Sequence, residues 1–159
     1  MTYVYDINTF HRCFRKIRTM RELSILPLPY RIDCCDHFAR LRTLPGAVLL
    51  DSARAHGAQG RFDVLSALPL CELVSRGNLT TIRARGGTTR STLDPFQLVA
   101  QALEDHLPPV ASSPEAWPFQ GGAIGWFGYD LGRRSAGLAL RSTTDAPADM
   151  QVGIYGWAL

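Results

Sequence analysis

The chain has 159 residues, 46% hydrophobic and 19% charged, which is enough for one ordinary globular core and short for two. Its formal charge of +3 comes entirely from residues 1–22, where Arg12, Arg15, Lys16, Arg18 and Arg21 outnumber Asp6 and Glu22; from Leu23 onward twelve basic residues face twelve acidic ones. A balanced body without a recognition motif gives no electrostatic footprint for nucleic acid, and no apolar run reaches the length of a membrane span.

In chain order, residues 1–22 form an extension in which Ile7, Phe10, Phe14 and Ile17 recur at helical spacing among arginines. That is the pattern of a basic amphipathic helix, such as a presequence or membrane-surface anchor, but also of a plain solvated segment. Ser24 to Leu28 reads as a short strand closed by Pro27 and Pro29. Asp33 then caps a helix with Phe38, Leu41 and Leu44 on one face, ended by Pro45-Gly46. Ala47 to Leu50 is a buried-strand candidate that delivers Asp51 and Ser52 at its end.

After a loop at Gly57 to Gly60, Phe62 and Val64 alternate with Arg61 and Asp63 as in a half-buried strand. Pro69–Val74 and Leu79–Ala84 predict two strands joined by a turn at Gly77-Asn78, the second with one wet face carrying Arg83 and Arg85. The clearest helix starts at Asp94 with Pro95 in its first position, presents Phe96, Val99, Leu103 and Leu107, and stops at Pro108-Pro109. Val110 to Trp117 reads as a loop.

From Pro118 to Arg134, five glycines are interleaved with Trp126, Phe127 and Tyr129. Such a segment predicts close backbone approach, with the aromatics filling the surrounding space. A loop from Ser135 to Pro147 precedes an apolar strand from Met150 to Leu159. A chain stopping inside an apolar strand exposes an aggregation-prone edge, so the ending reads as a truncation. The order of elements predicts an α+β fold, a mainly antiparallel sheet with packed helices.

Several chemistries find no support in the residues. Cys13, Cys34, Cys35 and Cys71 include no CxxC pair and no histidine at zinc-ligand spacing, so no metal site is expected. Without an apolar secretory region, reduced thiols in a cytoplasm are the simpler reading. The glycine segment has no Gly-Lys-Ser/Thr and so no P-loop. Ser52 lacks the Gly-x-Ser-x-Gly frame, and His11, His37, His56 and His106 are scattered, so no hydrolytic or other catalytic constellation assembles.

Pro118–Arg134, together with Leu26-Pro27-Leu28-Pro29-Tyr30, Pro45–Ser52, Arg61-Phe62-Asp63-Val64 and Asp149–Leu159, resembles the N-terminal domain of the aminodeoxychorismate synthase component I family, related to anthranilate synthase component I. The resemblance implies a truncated domain over residues 23–159, incomplete relative to the full family fold. Met20 would be a plausible start, and residues 1–22 a start-site artefact. An intact protein would aminate chorismate to 4-amino-4-deoxychorismate for 4-aminobenzoate and folate synthesis. It would use magnesium in its catalytic part and ammonia from a glutamine amidotransferase component II.

The fragment itself is expected to lack that activity. By the same resemblance, Asp51, Ser52 and Arg61 belong to a tryptophan-like effector pocket. An α-ammonium wants a carboxylate or hydroxyl and an indole wants an apolar slot. The alternatives are an anthranilate synthase component I fragment, a stand-alone amino-acid-binding regulatory module, and a nonfunctional gene remnant.

Overall fold

The computed structural model describes residues 23–29, 31, 33–52, 62–109, 117–138 and 147–159. The extension 1–22, Arg61 and most of the two loops before Trp117 and Pro147 lie outside the described residues. The elements are α1 (Cys35–Leu41), β1 (Val48–Leu50), β2 (Val64–Ser66), β3 (Cys71–Arg76), β4 (Leu79–Ala84), β5 (Gly87–Ser91), α2 (Pro95–His106), β6 (Gly122–Phe127), α3 (Leu131–Ser135) and β7 (Met150–Tyr155).

The expected α+β architecture is present. Five strands form an antiparallel sheet in the order β5-β4-β3-β7-β6, and β1 and β2 form a separate antiparallel ribbon. The register follows from side-chain alternation. Cys71 faces Ile154 and Leu73 faces Val152, so these apolar side chains share one sheet face, where Leu98, Val99 and Ala102 of α2 cover them. Fully burying such a side chain contributes about 1.5–3 kcal/mol, so this layer holds α2 on the sheet. Ser75 and Thr80 are also buried, and their hydroxyls bond each other at 2.8 Å.

Helix α2 begins as its sequence dictates: Asp94 Oδ1 accepts from the backbone N–H groups of Phe96 and Gln97 at 2.9 and 3.1 Å. Three of the four residues expected on its buried face pack on the core, Val99 buried and Leu103 and Leu107 partly so, and Phe96 is the exception. Pro95, Leu98, Val99 and Ala102 are buried, whereas Phe96 is exposed and stacks on Phe127 at 5.2 Å between ring centroids.

Other expectations change as well. Ser24–Leu28 is not a strand; its apolar residues are exposed, and Pro27 and Pro29 remove the donors a ladder requires. In the first helix Asp33 does accept from the Cys35 N–H at 2.8 Å, but the helix stops at Leu41, earlier than Pro45-Gly46 required. The strand around Phe62 begins only at Val64.

β5 had no counterpart in the sequence reading, because Gly-Thr-Thr-Arg-Ser shows no apolar alternation. The final strand ends at Tyr155 and lies in the middle of the sheet between β3 and β6, so it is not an exposed edge. Met150, Val152 and Ile154 are buried there.

The glycine segment does bring backbones together. Gly125 pairs with Val152, and a Cβ at position 125 would lie 2.6 Å from the Val152 Cα. The aromatics, however, do not fill the space around the glycines. Trp126 and Phe127 are substantially exposed and Tyr129 is 98% exposed. Among the described residues β6 is an edge strand, where Phe127 stacks on exposed Phe96 and Trp126 lines a surface cleft.

Candidate functional site

The end of β1 and the start of β2 are held side by side by the pairing of Leu50 with Val64. That pairing brings Ser52 to Asp63, eleven residues later. Asp63 Oδ1 accepts from the Ser52 backbone N–H at 2.9 Å and from the Ser52 hydroxyl at 3.0 Å. These bonds favour the ionised acid, and the Ser52 N–H is the larger cause holding the Asp63 carboxyl below its usual range, with the Ser52 hydroxyl and the Cys34 thiol adding to it against burial.

Cys34, at the start of α1, completes the group. Its thiol is pushed up to about 11, first by burial and then by the charges of Asp63 and Asp51. Cys34, Asp51 and Asp63 present donor atoms that all lie within 4.8 Å of one another, and Asp33, Cys34 and Cys35 form a second such group. Cys34 and Asp63 are half-buried and Asp51 is exposed. Cys35 is also raised, chiefly by its hydrogen bond to Asp33, whose own carboxyl is lowered by the Cys35 backbone N–H.

The structure therefore places Asp51 and Ser52 together at a strand end, whereas Arg61 lies outside the described residues. Asp63 and Cys34 went unrecognised as site residues in the sequence. The only local signal was that Asp63 follows a strand-like alternation. The convergence with Cys34 is tertiary. The Ser52 hydroxyl donates its hydrogen bond to Asp63, so toward a ligand its oxygen can act as an acceptor for an ammonium N–H, with Asp51 and Asp63 supplying negative charge.

A separate cleft of about 190 Å³ lies on the sheet face opposite α2, lined in part by Gly46, Glu72, Trp126, Gln151 and Tyr155. Its polar groups bond to one another and to the neighbouring backbone. Gln151 Nε2 and Arg83 Nη1 donate to Glu72 at 3.0 and 3.1 Å, and the Tyr155 hydroxyl donates to the Gly46 carbonyl at 2.8 Å. Gly46 sits at φ +61°, a conformation that favours glycine. Burial, with the Glu72 charge behind it, raises the Tyr155 hydroxyl and keeps it a donor.

No family model matches the chain. It is 43% identical over 142 residues to aminodeoxychorismate synthase component 1 of Klebsiella aerogenes, covering 88% of this chain and 31% of the relative. The protein of the same name from Escherichia coli K12 is 42% identical over 144 residues, again 88% of this chain and 32% of the relative. Similarity to anthranilate synthase component 1 of Acinetobacter calcoaceticus is weaker, 34% over 102 residues and 60% of this chain. The chain spans about a third of the length of the curated aminodeoxychorismate relatives it matches.

Proposed function

Because this chain belongs, over the 88% of its length that aligns, to the family of aminodeoxychorismate synthase component 1, we propose that it supplies one segment of an enzyme that aminates chorismate to 4-amino-4-deoxychorismate. The observation that carries this reading is the 42–43% identity sustained over 142–144 residues in three such relatives, against 34% over 102 residues for the anthranilate enzyme of Acinetobacter calcoaceticus. The designation "component 1" implies a second component. The reading assigns that place to a glutamine amidotransferase that delivers ammonia, in a cytoplasm that keeps Cys34 and Cys35 reduced.

Magnesium belongs elsewhere in such an enzyme. It prefers octahedral oxygen ligands, and both grouped donor sets among the described residues include a thiol, so they do not fit it. This chain's own residues serve a different purpose. Asp51 and Ser52, together with Arg61 by the resemblance alone, serve an effector pocket for an amino acid such as tryptophan, with Asp63 holding the Ser52 hydroxyl in place.

A chimera tests both parts. Residues 23–159 replace the matching third of the Escherichia coli relative, and product formation is followed from chorismate, ammonium and magnesium. The chimera should turn over, while the 159-residue chain alone should give no product. An inactive but folded chimera, or turnover by the isolated chain that its own point variants abolish, overturns the segment reading. Tryptophan titrated into the chimera should bind, and Ser52→Ala should weaken binding by about 0.5–1.5 kcal/mol, one hydrogen bond. Absence of binding removes the effector reading alone.

A further inference from the structure

We propose that Cys34, Asp51 and Asp63 form a binding site for a thiophilic divalent cation of the zinc class. Three separate segments converge here: the start of α1, the end of β1 and the residue before β2. The three donor atoms lie within 4.8 Å of one another, and the second group of Asp33, Cys34 and Cys35 shares the Cys34 Sγ. One sulfur with two carboxylate oxygens supplies three of the four positions of tetrahedral zinc, with water left for the fourth, whereas hard cations select oxygen alone.

The surroundings support ligation. Ser52 directs both its donors at Asp63 Oδ1, which fixes the carboxylate beside the Cys34 thiol, the usual task of an outer partner at a metal site. Exposed Asp51 leaves the group open to entry from solvent. On binding, each sulfur that ligates exchanges its proton for the metal, the proton leaves to solvent, and no electron is transferred. The cation would clip α1 to the β1–β2 ribbon. This inference goes beyond the synthase reading and competes with its effector part, because zinc and an effector ammonium would claim the same Asp51 and Asp63 carboxylates, so zinc is titrated here in the absence of any effector.

The test uses the whole 159-residue chain with thiols reduced. Zinc is titrated against a chromophoric chelator, and cobalt(II) serves as a spectroscopic probe. One zinc per chain should bind, and cobalt should give thiolate-to-metal charge-transfer absorption with the strong visible bands of a four-coordinate site. Cys34→Ser and Asp51→Asn should each weaken zinc at least tenfold, while Cys13→Ser should change nothing. Zinc should also raise the melting temperature of the unaltered chain but not that of Asp51→Asn.

Asp51 is exposed, so that variant keeps the test decisive even where Cys34→Ser perturbs the fold. Zinc affinity unchanged by Asp51→Asn, or a weak octahedral cobalt spectrum without a sulfur band, overturns the proposal.

Discussion

Ser52 and Asp63 form a charge-assisted contact whose effect on stability has a defined sign. The folded-state pKa of Asp63 is depressed, so the stability it contributes is present above the unfolded value of about 3.9 and is lost as pH falls through the lower folded value. The difference in unfolding midpoint between the parent chain and Ser52→Ala should therefore be fully expressed at pH 6 and should narrow on acidification below about pH 4. Denaturant titrations at several pH values measure it, and a gap that widens in acid contradicts the assignment.

Cys34 responds at the opposite end of the scale. With its thiol pushed up to about 11, little thiolate exists near neutrality, and alkylation by iodoacetamide should be slow at pH 8 and rise only in strong base. Asp63→Asn should lower that midpoint only partly, since burial is the larger cause. Peptide mapping by mass spectrometry reads both. At this scale the apolar run placed Asp51 and Ser52 at a strand end, and the resemblance named them as candidates, but neither pointed to Cys34, whose proximity depends on the ribbon folding back.

At the scale of elements, legibility tracked local chemistry. Asp94-Pro95 carries its own start signal, and the helix begins at Pro95 as read. Leu79–Ala84 alternates clearly and forms β4 with those bounds. β5 was missed because its pairing with β4 depends on backbone hydrogen bonds and not on an apolar face, while Ser24–Leu28 has the apolar face but lacks the donors.

Two substitutions separate these causes. Asp94→Ala should destabilise by about 1 kcal/mol through loss of the cap. Gly125→Ala, which sets a methyl against the backbone of Gln151 and Val152, should cost about 1–3 kcal/mol or more. Equilibrium unfolding checks both, and a neutral Gly125→Ala would mean that β6 can shift away from β7 at little cost.

For the whole molecule, the five-stranded order was the least legible feature, because β7 inserts between β3 and β6 and nothing local in Met150–Tyr155 specifies which strands flank it. The same insertion explains how the ribbon is attached. Beyond β7 the chain runs along β2, where Leu65 and Leu159 exchange backbone hydrogen bonds at 2.9 and 2.8 Å and the Ser66 hydroxyl donates to the Trp157 carbonyl at 2.8 Å. Ser66 is fully buried, so losing its acceptor leaves an unsatisfied group, at a cost of about 1–3 kcal/mol.

The main sheet has its own apolar layer under α2 and does not depend on these contacts. Deleting Trp157–Leu159 should therefore release the ribbon selectively. Hydrogen exchange should lose protection across Val48–Leu50 and Val64–Ser66, while the amides of Cys71–Arg76 and Met150–Tyr155 keep theirs. Equal loss in both regions would instead make the ribbon and the sheet one cooperative unit, with the Tyr155–Gly46 and Leu68–Pro45 bonds carrying the coupling that remains.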